Sequence, residues 1–166
     1  GEVLEVGHGT AQHAAYFSQQ LPVTWIPADV EENAWMARER LGLDPVILRV
    51  DGQTPLSRQT GRRYDHVFTA NTLHIMAEKD AYQFCLEAGE VMKKGGYLFL
   101  YGPFKWNGEF TSESNHQFDQ SLKKRDPEMG IREFYELKKR LEDSGLHFLQ
   151  CHGLPANNHL LVFQKS

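Results

Sequence analysis

Cysteine is scarce in this chain: Cys85 and Cys151 are the two present. Two cysteines make no disulfide framework, and neither sits in a CxxC pair or a Cys/His cluster with metal-ligand spacing. No apolar run approaches the roughly 20 residues needed to span a bilayer. The first residues read as a strand, so a signal peptide is not expected. Internal repeats and low-complexity tracts are also lacking. Positive charge is not in excess, since 18 Lys+Arg against 22 Asp+Glu give a net charge of −4. A broad cationic field for nucleic acid or anionic lipid is therefore not expected. No Gly-Lys-Ser/Thr occurs, so a P-loop is excluded. These absences point to a cytoplasmic domain without metal, membrane or nucleic-acid partners. Because the chain opens on Gly1 and not on Met, a further segment upstream is expected.

What is present is an ordinary globular mixture, 40% hydrophobic and 24% charged over 166 residues. A chain of this size buries roughly 70% of its unfolded surface, enough for one domain over 1–166 held by its own core. The apolar pattern alternates between short runs and helical periods. Val3–Val6, Val23–Ile26, Val46–Leu48, Asp65–Ala70 and Tyr97–Tyr101 read as strands. Helical stretches are expected over Thr10–Gln20 and Glu31–Leu41, with a short turn-rich link through Pro55 and Gly61 after the third strand. The clearest helix carries Ala81, Phe84, Cys85, Ala88, Val91 and Met92 on one stripe, with Lys93 and Lys94 in its last turn and Gly95-Gly96 as its stop. Tyr97–Tyr101 is apolar throughout, as a strand covered on both faces would be. A last helix through Ile131, Phe134, Leu137 and Leu141 precedes strands at His147–Gln150 and Leu160–Gln164. Helix-length connectors imply parallel neighbours, and the connector 151–159 is too short and polar for one. The expected fold is α/β, doubly wound and Rossmann-like: a mostly parallel seven-stranded sheet ending in an antiparallel hairpin.

In such sheets the ligand lies at the carboxyl ends of the strands, near the switch point. That singles out the segment from Glu5 to His13 (EVGHGTAQH). A dinucleotide fingerprint needs a third glycine where this chain has Gln12, which with the terminal hairpin argues against a nicotinamide oxidoreductase. Acidic-x-Gly-x-Gly fits S-adenosylmethionine better, with Glu5, Gly7, His8, Gly9 and Gln12 as candidates. A carboxylate suits a ligand carrying an ammonium and a sulfonium. Asp29, 20 residues after Gly9, can accept from ribose hydroxyls or cap the following helix. Asp51 is a candidate on the adenine side.

The chain resembles the methyltransferase-like family whose animal member is methyltransferase-like protein 26. The resemblance rests on VLEVGHGTAQHAAYF, TWIPADV, TANTLHI, GGYLFLYGPFKWNGEFTSESNHQFDQSLKKRDPEMGIRE and LPANNHLLVF, which run in order from Val3 to Phe163. That family tends to carry glycine where this chain has Ala11, and Leu-Asp-Val where it reads Leu48-Arg49-Val50. The family also usually has a helical segment before the first strand. The resemblance implies the class I S-adenosylmethionine fold, with no settled substrate. Together with the loop residues and the acidic balance, the expected function is methyl transfer from S-adenosylmethionine to a small-molecule acceptor, releasing S-adenosylhomocysteine; the alternative is a non-catalytic sensor or scaffold that binds either nucleoside.

Methyl transfer from a sulfonium is an in-line displacement that mainly needs alignment and exclusion of water. A base is needed only for a protonated acceptor. After the fourth strand, Asn71 can position a ligand and His74 has the pKa range of a base; both are catalytic candidates, whereas His66 inside the strand reads as structural. After the fifth strand, the polar stretch 102–130 is expected to form a lid or acceptor site. Tyr101, Phe104, Asn115, Asp119, Arg125, Arg132 and, from the terminal hairpin, Asn157 are the acceptor-site candidates. An internal hydrogen-bond network is the competing role for the polar members.

Overall fold

A computed structural model describes residues 1–166. Strands β1 (Glu2–Val6), β2 (Thr24–Asp29), β3 (Val46–Ile47), β4 (His66–Ala70) and β5 (Tyr97–Gly102) run parallel. β9 (Leu146–Leu154) and β10 (Asn158–Lys165) add an antiparallel hairpin. The sheet order is β3-β2-β1-β4-β5-β10-β9, so the winding reverses between β1 and β4. The expected seven-stranded architecture is therefore present.

Period-two alternation sorts the strand residues between two layers. Leu4, Val67, Leu98, Leu100, Leu161 and Phe163 are fully buried in the main core. They pack with α3 (Leu56–Thr60), α4 (Glu78–Glu87) and α6 (Phe134–Asp143). Val3 and Trp25 face the other way, into a smaller cluster with Ala14 of α1 (Gln12–Gln20). α2 (Ala34–Leu41) follows one 3-10 turn over Glu31–Asn33 and stops at Gly42, whose φ of 69° is the left-handed conformation a helix end uses.

Several expectations shift. The first helix starts at Gln12, two residues later than Thr10, because Ala11 adopts a left-handed φ of 63°. β3 ends after two residues. Leu48 N still donates to Asp29 O, but Arg49 N turns instead to the Gln59 side chain, which draws the chain off the sheet. The turn-rich link holds α3. The six-residue apolar stripe is wholly buried as expected, yet α4 ends at Glu87 and a 3-10 turn carries Ala88–Val91. Lys93 and Lys94 thus lie past the helix, and Lys93 pairs with Asp65 at 3.1 Å instead of serving the helix dipole.

β5 is covered on one face alone: Leu98 and Leu100 are buried while Tyr97, Phe99 and Tyr101 alternate as half-exposed. The stretch 102–130 is largely regular. β6 (Phe104–Trp106), β7 (Glu109–Phe110) and β8 (Arg132–Glu133) form a second, three-stranded sheet. α5 (Glu113–Arg125) is capped by Ser112, whose hydroxyl accepts from Asn115 N. The terminal strands are longer than expected, and Pro155–Asn157 suffices as a link because Ala156 and Asn157 both adopt positive φ.

Candidate cofactor site

A cavity of about 520 Å³ opens at the carboxyl ends of β1, β2 and β4, where the winding reverses. The volume lies within the roughly 300–1,000 Å³ typical of small-molecule sites. Its floor is the loop after β1. Gly7 N and His8 N both donate to Ala28 O, at 2.8 and 3.0 Å, which folds this loop over the end of β2. Gly7 has a φ of 79°, and a Cβ there would run into the Thr72 methyl group of the loop after β4. Thr69 Oγ1 donates to Val6 O at 2.7 Å, and the Thr69 and Thr72 hydroxyls bond to each other. The two loops are therefore interlocked. Around Gly9, by contrast, a Cβ would meet nothing within 4 Å.

Asp29 closes the β2 side and is nearly buried. Its Oδ2 accepts from Gly9 N at 2.9 Å, and its Oδ1 accepts from Val30 N at 2.7 Å and Asn33 Nδ2 at 3.1 Å. The carboxylate thus fixes the glycine loop and the next turn, and Oδ2 retains acceptor capacity for a ligand hydroxyl. His8 also lines the cavity; its Nδ1 lies 2.7 Å from Gly9 O, while its buried Nε2 has no hydrogen-bond partner.

Gly7, His8, Gly9, Gln12, Asp29 and Asn71 are the sequence candidates that come together on this cavity. Asn71 sits there with φ 55°, its N–H donating to Tyr101 O at 2.9 Å. Glu5 is placed elsewhere. Strand alternation puts it on the Val3 side, fully buried, with Oε1 accepting from Trp25 Nε1 at 2.9 Å and Oε2 3.5 Å from His13 Nδ1. Asp51 is exposed and accepts from Gln53 N at 2.8 Å; the turn after β3 presents Leu48, Arg49 and Val50 to the cavity instead.

His74 lies outside the lining, beneath α5, with its ring edge-on to Phe118 at 5.4 Å. Burial, and then the Arg132 guanidinium, push its pKa down to about 4, so it is neutral at pH 7. The acceptor-site candidates mostly serve the fold. Phe104 belongs to the main core. Asn115 Nδ2 donates to Thr111 Oγ1 and to Asn157 O, at 3.1 and 3.2 Å, tying α5 to the terminal hairpin. Asp119 accepts from Ile131 N at 2.9 Å and pairs with Lys123. Arg132 donates to Leu73 O, Met76 O and Glu128 O, a clamp on the loop after β4. Burial lowers its pKa against the opposing effect of Glu78, Tyr82 and Asp119. Arg125 is exposed, and Tyr101 is half-buried at the end of β5.

Sequence reasoning missed His13, Asn33, Arg49, Ile75, Met76 and Asp80, all of which line the cavity. His13 was legible in principle, because it falls in the first turn of the helix after the glycine loop. Asp80 was not, since only the fold returns α4 to the β3 end.

The fold superimposes on the mitomycin 7-O-methyltransferase MmcR with a TM-score of 0.82 at 18% identity, covering 99% of this chain and 49% of that one. An O-methyltransferase family protein from Burkholderia thailandensis gives 0.83 at 18% identity, over 99% and 51%. PigF, solved with SAH, gives 0.81 at 15% identity, over 99% and 50%. The architecture is thus the class I methyltransferase fold, and the chain spans about half the length of these structures. A family model described as "Protein of unknown function (DUF938)" matches residues 1–165.

Proposed function

This chain belongs to the DUF938 family, and on that premise we propose that it is an S-adenosylmethionine-dependent methyltransferase acting on a small molecule. The observation that carries the reading is the cavity itself: a glycine loop after β1, locked by the carboxylate at the end of β2, at the point where the sheet reverses its winding. The residues fit the cofactor. Open space at Gly9 admits a ligand close to the backbone, and Asp29 Oδ2 retains acceptor capacity for a ribose hydroxyl. Leu48, Val50, Ile75 and Met76 give apolar walls for a base. The resemblance to the methyltransferase-like protein 26 family supports the same reading, as do small-molecule methyltransferases among the structures sharing the fold.

Bound S-adenosylmethionine supplies a methyl group already activated on a sulfonium sulfur. The chain's residues bind and orient it: the Gly7–Gly9 backbone and Asp29 hold the nucleoside, and Asn71 stands where β4 ends at the cavity. His74, held neutral beneath α5, is the candidate base for a hydroxyl acceptor. Cys85 and Cys151 are both unpaired, which suits a reducing compartment and supports a cytoplasmic placement. No helix is long and apolar enough to cross a membrane.

A second reading, a non-catalytic binder of the same nucleoside, draws on the position of His74 outside the cavity lining. Calorimetric titration with S-adenosylhomocysteine tests what both share, and absence of binding sinks both. Formation of S-adenosylhomocysteine across a panel of hydroxyl and amine acceptors, lost in His74→Asn with binding retained, establishes the enzyme. A chain that binds but turns over no acceptor favours the binder.

A further inference from the structure

A second cavity, of about 440 Å³, opens between α4, α6 and the loop that joins α5 to β8. Glu78, Tyr82, Lys105, Glu128, Arg132 and Glu136 are among its walls, and none of its residues lines the first cavity. Arg132 sets its chemistry. The side chain is only 8% exposed. Its Nε and Nη2 donate to the Leu73, Met76 and Glu128 carbonyls, whereas Nη1 makes no hydrogen bond within the chain. No carboxylate pairs with it either. Asp119 pairs instead with Lys123 at 3.0 Å, and Glu78 Oε1 accepts from the Tyr82 hydroxyl at 3.0 Å. Carbonyl dipoles satisfy N–H groups but cancel no charge. A nearly buried guanidinium without a counterion therefore gains from an anion brought to it.

The rest of the lining selects among anions. Lys105 Nζ lies 5.6 Å from the centre of the Phe110 ring and has no carboxylate partner, so it joins Arg132 as a second uncommitted cation. Among the acids, Glu133 accepts through both oxygens from the N–H groups of Asn107, Gly108 and Tyr135, and Glu136 lies 3.9 Å from Arg140. Glu128 has no side-chain partner, and Glu78 retains Oε2. A dianion such as phosphate would meet those two carboxylates unopposed. A ligand with one carboxylate and one ammonium matches both pairs. We propose that this cavity is a second ligand site for a small zwitterion of the amino-acid class, its carboxylate on Arg132 Nη1 and Lys105 and its ammonium on Glu128 and Glu78. The site stands independently of the S-adenosylmethionine reading. It nevertheless backs onto the loop after β4, because Arg132 holds the carbonyl of Met76, which lines the first cavity.

The test titrates the full chain calorimetrically with the common L-amino acids, with and without excess S-adenosylhomocysteine. Millimolar or tighter binding of at least one amino acid is expected, unchanged by the nucleoside. The methyl ester and the N-acetyl derivative of the tightest ligand should each bind about tenfold more weakly, the scale of a lost charge-assisted hydrogen bond. Lys105→Met should weaken the free acid about threefold and leave the ester unaffected; Glu128→Gln should weaken the free amine to the same extent and leave the N-acetyl derivative unaffected. Neither side chain makes a hydrogen bond in the fold, so both variants keep it. Arg132→Gln is expected to abolish binding; because it also loosens the loop after β4, the two other variants decide if it unfolds. No binding of any amino acid at millimolar concentration, or a ligand displaced by S-adenosylhomocysteine, overturns the site. An ester that binds as tightly as the acid, or a ligand insensitive to both Lys105→Met and Glu128→Gln, overturns it too. Inorganic phosphate binding more tightly than every amino acid overturns the choice of a zwitterion.

Discussion

Glu5 Oε2 stops 3.5 Å from His13 Nδ1 and does not reach the cavity, whereas His13 lines it. The acidic residue of the loop motif thus neighbours the cavity only through an imidazole. His13 carries a raised pKa because of Glu5, so its contribution to stability is complete below the ordinary histidine value of 6.5 and fades as pH rises through the higher folded value. The gap in melting temperature between wild type and His13→Gln is expected to be widest near about pH 6 and to narrow toward about pH 9. A gap that widens with pH contradicts the pairing. Glu5→Ala leaves the Trp25 Nε1–H without its acceptor in a buried layer, a loss of about 2–4 kcal/mol in urea denaturation.

Gly7 and Gly9 both have positive φ, at 79° and 53°, yet they are not equivalent. An alanine methyl at Gly7 collides with Thr72, whereas at Gly9 it meets open space. Gly7→Ala should cost about 3 kcal/mol or more, and Gly9→Ala about 1 kcal/mol, the backbone strain alone. Chemical denaturation of the two variants measures this. Similar losses would mean that the Gly7–Thr72 contact does not hold the loops.

Asp29 satisfies three donors, two of them backbone. Asp29→Ala is expected to lower stability by about 2 kcal/mol and to weaken S-adenosylhomocysteine binding, since the Gly9 loop loses its tether. Asp51→Ala removes one bond within an exposed turn, and its stability and nucleoside affinity should stay close to wild type. Calorimetry on the pair decides which acid belongs to the site.

His74 has the opposite sign to His13. Its folded pKa of about 4 lies below the ordinary 6.5, so the unfolded chain binds the proton more readily. The stability it supports is complete above 6.5 and is lost as pH falls from there toward about 4, on the order of 3 kcal/mol in all. Unfolding of His74→Phe, which keeps a ring against Phe118, should show a flatter acid limb than wild type. An unchanged acid limb would assign the acid sensitivity to other groups.

The strands and the alternation of layers were legible because burial imposes a period, and period is a sequence property. The Ala81–Met92 stripe is the clearest case. Glu5 misled for a physical reason: the acidic-x-Gly-x-Gly spacing places a carboxylate near a ligand, but strand parity turns this one to the α1 side. The two-residue β3 was unreadable because its end is set by the Gln59 side chain of the helix that follows it, a contact without a period in the sequence. Asn115, Asp119 and Arg132 looked like groups for a polar acceptor, and each turns out to bond a backbone atom that only the fold brings close.

The seating of Gly7 against Thr72 also limits how this sequence can drift. A larger residue at position 7, or one added residue in either loop, forces a matching change in the other. Chimeras that exchange the first loop alone between relatives should misassemble, whereas exchanging both loops together preserves the fit.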